Sequence, residues 1–396
     1  MRKRNLVVKT AAVIMSLTLL TACGNTENNG SKDNTPAVTN EAGQPTAEVT
    51  DTPSVTGSDT QTTDTPAPTD TVTSTPSGTD DDTPEILDPE EGSRIYGEYK
   101  KIEIDYKTKD LTASYDPTDV TYLEFSNDGI KVSGKKEVAT SNINGRQKAT
   151  IEKKGTYVIS GECSNAQIVI ESDKEKDVRL VLAGAKLTCP DSAVIYEKQC
   201  DKLIITLDEG TENEITATSE FVYDDPEKKN PDACVFAKDD LVINGKGKLK
   251  ISSNVCEGIH STDSLKIISG TYDIQTVQRA VRAKKYIAIK DGNITIKSEE
   301  DSIRTTKEDD VAFGHIVIEG GNIKIETNSE GLQATGTVQI TGGTIDIHDE
   351  GKKSNAIKSD KMIYVENAKV TVDSLKALKA EGGMIATKDA IVVRTK

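Results

Sequence analysis

The 396-residue chain has 65 acidic and 49 basic side chains and a formal net charge of −16. That balance argues against nucleic acid, whose phosphates need a basic surface, and suits solubility and cations. With three His and no Cys-x-x-Cys pair, the composition also argues against a zinc site.

The N-terminus reads Arg2-Lys3-Arg4, an apolar run from Ala11 to Leu20, then Leu20-Thr21-Ala22-Cys23. A basic start, a short apolar stretch and small residues before a cleavage point predict an export signal over residues 1–22. Lys9, Thr10, Ser16 and Thr18 leave too few apolar positions for a membrane span, which needs about 20. The L-T-A-C run resembles the bacterial lipobox. That resemblance implies a lipid on Cys23 and a protein held at the extracellular face of the membrane.

Residues 23–93 contain no aromatic residue and are dominated by Thr, Asp, Pro, Ser and Asn, with Asp-Thr-Pro at Asp51, Asp64 and Asp82. Such a segment buries too little apolar surface to offset its ordering entropy, so it is expected to be a disordered tether. Random-coil scaling gives it an end-to-end reach of about 45 Å. Its Thr and Ser residues also permit O-glycosylation.

Residues 94–396 hold every Tyr and Phe, and here the pattern changes to alternating aliphatics. "ATIEKKGTYVISG" (from Ala149), "VRLVLAGAKLTC" (from Val178) and "KLIITLDEGTENEI" (from Lys202) each read strand, turn, strand. The rhythm becomes regular at "LVINGKGKLKI" (from Leu241) and recurs at Leu265, Ile287, Ile316, Val338 and Ile363. A third short element accompanies each pair: "EGI" at Glu257, then "RAV", "DSI", "EGL", "NAI" and "KAL", at intervals of 22, 22, 29, 25 and 21 residues.

Three short strands per repeat predict an all-β fold, a right-handed single-stranded parallel β-helix over about residues 118–396, least regular at its start. Its interior column would be Ile259, Val281, Ile303, Leu332, Ile357 and Leu378, behind a column of small residues. A two-sheet sandwich is the competing architecture. Lys307–Gly314 would loop out to give the 29-residue interval. Five further cysteines, an odd number, fit small buried residues, with a Cys234–Cys256 disulfide left open.

The run from Asp232 to Gly247, D-A-x-x-F-x-K-D-D-L-x-I-N-G-x-G, with the coils that follow, resembles bacterial carbohydrate-binding domain-containing surface proteins. The resemblance implies a β-helix related to polysaccharide lyases, structural Ca²⁺, and binding of plant polysaccharides, cellulose or polygalacturonate. The missing Trp removes the flat platform suited to crystalline cellulose and favours a charged glycan.

Stacked coils set equivalent residues about 4.8 Å apart, so neighbouring carboxylates repel unless a cation lies between them. One column reads Glu257, Arg279, Asp301, Glu330, Asn355 and Lys376. Asp301 and Glu330, with Glu299 and Glu300 beside them, form a first candidate Ca²⁺ site. Asp232, Asp239, Asp240, Glu257 and Asp263 form a second. Arg279, Asn355 and Lys376 depart from the acidic column the family implies, and a salt-bridged, solvated edge is the alternative.

The neighbouring column carries Arg282, Arg304, Lys358 and Lys379, suited either to binding uronate carboxylates or to neutralising the acids next door. The expected function is a non-catalytic, calcium-assisted polysaccharide binder. One alternative is a lyase using Arg279, Arg282, Lys284 or Lys285 beside Asp301. Another is a structural spacer or adhesin.

Overall fold

The computed structural model describes residues 85–86, 99–223, 227, 230–386 and 389–395. The expected signal, Cys23 and the tether lie outside these residues, apart from Glu85–Ile86, which pairs antiparallel with the last strand, Ile391–Arg394. Among the described residues no helix is long and apolar enough to cross a membrane.

From Lys202 onward every strand pairs in parallel with the strand three elements further along the chain. That rule generates three ladders wound as a solenoid, a parallel β-helix. The first ladder runs from Lys202–Leu207 to Met384–Ala386, and the second from Glu212–Ala217 to Ile391–Arg394. The third runs from Arg146–Ile151 through Ala166–Glu171, Ile195–Gln199 and Ala233–Ala237 to Leu378–Ala380. Parallel pairing throughout this region rules out the sandwich.

The opening coils are less regular, as expected. The long strand Val178–Cys189 belongs to two ladders, pairing with Lys202–Leu207 through its first half and with Glu212–Ala217 through its second. Antiparallel hairpins, Val120–Ser126 with Gly129–Gly134 and Ala139–Ile143 with Arg146–Ile151, cover the N-terminal end.

The interior column stacks in the predicted register: Ile259 on Val281, Ile303, Leu332, Ile357 and Leu378. The first five are buried, each contributing about 1.5–3 kcal/mol. The column before it must be small because backbones approach closely; a Cβ added at Gly258 would lie 2.6 Å from the Ala280 oxygen. A second interior column is polar: Ser253, Thr276, Ser298, Thr327, Asp349 and Ser374 stack at the ends of the second-ladder strands. Their oxygens tie down the following turns, as when Ser298 Oγ donates to Glu300 O and Ser374 Oγ to Lys376 O. The five described cysteines are buried thiols, with Cys234 and Cys256 sulfurs 3.8 Å apart.

The outer face of the first ladder is covered by a strap, residues 99–112, that the repeat pattern did not predict. It begins at the C-terminal coils, where Tyr99 stacks on Tyr364 and Ile102 N donates to Gln339 Oε1. It then runs back across the coils to the short helix Thr108–Leu111. Asp110 from that helix is fully buried between Lys202 (2.8 Å) and Lys266 (3.0 Å), themselves almost buried. Asn244 Nδ2 and Arg179 Nη1 hold the carbonyl of Thr112.

Burial alone would raise the Asp110 carboxyl, but the two lysines outweigh it and hold it below the usual carboxylate range. A depressed carboxyl stabilises the folded state above its unfolded pKa, and this contribution is lost as pH falls through the lower folded value. Asp110→Ala leaves two buried ammonium groups without their partner and should cost about 3–5 kcal/mol. Limited proteolysis should then cut within 99–112, and a melting curve matching wild type would show that the strap does not depend on Asp110.

Candidate functional site

A groove of about 490 Å³ follows the corner where the second-ladder strands turn toward the third ladder. Its wall is an outward column in strict register: Thr216, Ser252, Gln275, Lys297, Glu326 and His348. Each is the penultimate residue of a six-residue strand whose last side chain points inward, so alternation turns this one to solvent. Turn residues Asn254, Glu299, Asn328 and Glu350 form the opposite lip. His348 closes the far end, with Asp373 at 2.7 Å and Glu350 at 3.2 Å. Hydroxyls, amides and a few charges across six coils make a long hydrogen-bonding track.

On the third ladder the two predicted outward columns are present, and they bind one another. Arg282 Nε donates to Glu257 Oε2 at 2.7 Å, and Arg282 Nη2 donates to Asp232. Arg279 reaches Glu257 (3.2 Å), Glu300 (2.9 Å) and Asp301 (3.8 Å), and Arg304 donates to Asp301 at 2.8 Å. Lys358 lies 4.0 Å from Glu330, while Lys379 stands exposed at the last coil. Arg282 and Arg304, expected to hold a glycan, are therefore spent on protein carboxylates.

The first candidate cation site comes together. Asp301 and Glu330 meet through Ser329, whose Oγ lies 2.7 Å from one carboxylate and 2.8 Å from the other. Burial and the Asp301 charge push the Glu330 carboxyl up. Glu299 stands apart, facing the groove. Arginines fill the gaps a metal would take, so this donor set fits Ca²⁺ poorly.

The second set divides in two. Asp232, Glu257 and His260 cluster within 4.8 Å, but the Arg282 guanidinium occupies their centre. Asp239, Asp240 and Asp263 lie instead at the turn into the first ladder, around a hollow of about 390 Å³. Burial and the neighbouring Asp240 raise the Asp263 carboxyl, against the pull of Lys285 at 2.8 Å. Beneath them Glu197 is fully buried, with Oε2 accepting the amides of Lys238 (2.8 Å) and Asp239 (2.9 Å). The buried Cys200 thiol lies against the same carboxyl and hydrogen-bonds it. Asp201, Asp239, Asp240 and Asp263 share the hollow with Lys174, Lys198, Lys238 and Lys285, so a cation there competes with ammonium groups much as it does with the arginines at the other sets.

The family model for carbohydrate-binding domain-containing proteins matches residues 145–395. The chain belongs to that family. A relative of the same description from Acetivibrio thermocellus is 31% identical over 153 residues, 39% of this chain, and the match spans 52% of that relative's length. A solved structure described as a polysaccharide lyase-like protein from C. thermocellum, gadolinium derivative, is similar with a TM-score of 0.57 and 26% identity. The match covers 68% of this chain and 97% of that one.

The motif that carried the family resemblance serves the scaffold. Phe236 packs edge-on against Tyr196 and His260, Lys238 and Asp239 cap Glu197, and Asn244 holds the strap. Gly245 has φ +101, and a Cβ there would meet Leu207 O at 2.1 Å. The groove residues share no residue type, only a strand position, so register was the one signal available for finding them.

Burial pushes the Glu197 carboxyl up to about 7, with the Asp239 charge adding to the shift. The native state therefore keeps a proton that the unfolded chain has released. Stability should fall as pH rises from about 4.5 to about 7, by on the order of 3 kcal/mol. Denaturant melts of wild type and Glu197→Gln across this interval test it. The variant's slope should be shallower by about that amount, with Glu330 and Asp263 supplying what remains, and an unchanged slope would place its origin elsewhere.

Proposed function

We propose that this domain is a non-catalytic binder that lays an extended polysaccharide along the corner groove. The supporting observation is the in-register track from Thr216 to His348, about 24 Å at a coil spacing of about 4.8 Å. Glu299, Glu326 and Glu350 present like charge to an acidic glycan. The groove therefore takes a neutral chain such as cellulose directly, and polygalacturonate only with Ca²⁺ between carboxylates. Asp239, Asp240 and Asp263 would hold a structural Ca²⁺, supplying charge neutralisation at that turn.

The lyase reading draws on the lyase-like relative. Against it, Arg279 and Arg282 are each held by carboxylates, which keeps a guanidinium charged and makes it a poor proton acceptor. The domain is proposed to sit outside the cell, held by lipidated Cys23 and the tether that follows.

Retention on cellulose, xylan and polygalacturonate, with and without EDTA, tests the groove. Gln275→Ala with Glu326→Ala should weaken binding roughly tenfold, since each hydrogen bond is worth about 0.5–1.5 kcal/mol, with the melting curve unchanged. EDTA should release polygalacturonate and leave cellulose bound. Unaltered retention in the double variant would sink the groove assignment, and absorbance growing at 235 nm would establish the lyase.

Ca²⁺ at a hundredfold excess over Kd should raise stability by about 2.7 kcal/mol. Asp240→Asn with Asp263→Asn should abolish that gain, whereas Asp301→Asn with Glu330→Gln should keep it. For the anchor, Cys23→Ala should move the protein from the membrane fraction to the medium, and an unchanged fraction would refute lipidation.

A further inference from the structure

A second hollow, about 280 Å³, opens on the outer face of the third ladder at its N-terminal coils. It lies beyond the start of the groove, past the segment whose Ser219 N donates to Pro190 O and Val222 N to Asp191 O. Its charged lining is Arg146, Lys148 and Lys198 against Asp191 alone. The groove has the opposite balance, with Lys297 and His348 against Glu299, Glu326 and Glu350. On a chain of net charge −16, a hollow lined chiefly by cations selects an anion.

The rest of the lining selects the anion's shape. Tyr196 is half-buried, set edge-on against Phe236 at 5.6 Å, with Lys198 Nζ 5.2 Å from its ring centre. Ile143 and Val222, two exposed aliphatic side chains, stand at the same hollow. The polar groups are fixed in place. Gln167 Nε2 donates to Ser192 Oγ (3.0 Å) and Ala193 O (3.1 Å), while Arg146 Nε donates to Asn165 Oδ1 and its guanidinium pairs with Asp191. An aromatic ring, aliphatic rims, rigid amides and a cationic side match a ring with one apolar face, polar edges and a carboxylate.

We propose that this hollow is a separate binding site for a single pyranose unit bearing a carboxylate, a chain end or a side branch. The sugar's apolar face lies on Tyr196, and its carboxylate meets Lys148 and Lys198. The groove then reads an internal stretch of backbone while the hollow reads one acidic unit. The proposal rests on the saccharide reading of the domain but not on the groove.

The test is a titration of the full chain with glucuronate, glucose and acetate by calorimetry or saturation-transfer NMR. Glucuronate should bind at least tenfold more tightly than either control and weaken as salt rises. Lys148→Met with Lys198→Met should lower glucuronate affinity at least tenfold, with an unchanged melting curve and unchanged retention on cellulose. Equal binding of glucose would overturn the role of charge, and equal binding of acetate would overturn recognition of the sugar. Full glucuronate affinity in the lysine double variant, or its loss in Gln275→Ala with Glu326→Ala, would overturn the location. If the groove variants keep full polysaccharide retention while the lysine variant loses glucuronate, the groove assignment falls and this one stands.

Discussion

The coil spacing constrains everything else in this molecule. Backbone hydrogen bonding between parallel strands fixes neighbouring coils about 4.8 Å apart, so each side chain lies against its equivalents above and below. Inside, that demands columns of compatible shape, met by Ile259, Val281, Ile303 and Leu332. Outside, it demands charge compensation at short range. Glu257 and Asp301 can share a column only because Arg279 sits between them and Arg282 and Arg304 flank them. A face compensated in this way is stable and has little charge left to offer a ligand.

This explains which parts of the molecule were legible in the sequence. The interior column could be read in correct register, even across the 29-residue interval, because one residue class fills it on every coil. The acid and base columns were legible as positions, but their role depended on contacts between coils. Arg282 looks like a carboxylate receptor on paper and serves as a counter-ion in the fold. The strap left no periodic trace, because residues 99–112 gain their order from partners far along the chain, such as Lys266 and Gln339. The groove was hidden because its wall mixes Thr, Ser, Gln, Lys, Glu and His, and only their shared strand position unites them.

The strap also decides which faces remain available. With residues 99–112 lying over the first ladder and arginine–carboxylate pairs locking the middle of the third, two open regions stand out among the described residues besides the hollow around Asp239, Asp240 and Asp263. These are the corner groove and the hollow at the first coils of the third ladder. Both are bounded by turns or hairpins, where the repeat is free to vary without disturbing the interior. Binding surfaces on a solenoid belong at such places, since a substitution there alters one coil's edge and leaves the stacked core intact.

The two regions carry opposite charge, and that difference follows from the same spacing rule. Along the groove, Lys297 stands against Glu326 in the next coil, and the turn acids Glu299 and Glu350 remain in excess. In the hollow, Lys148 lies against Gln167 of the next coil, and Lys198 stands one coil further on in another column, past Tyr196. That separation lets two cations face one space without lying directly against each other. Cations stacked on adjacent coils, such as Arg282 and Arg304, are instead compensated by the carboxylates beside them.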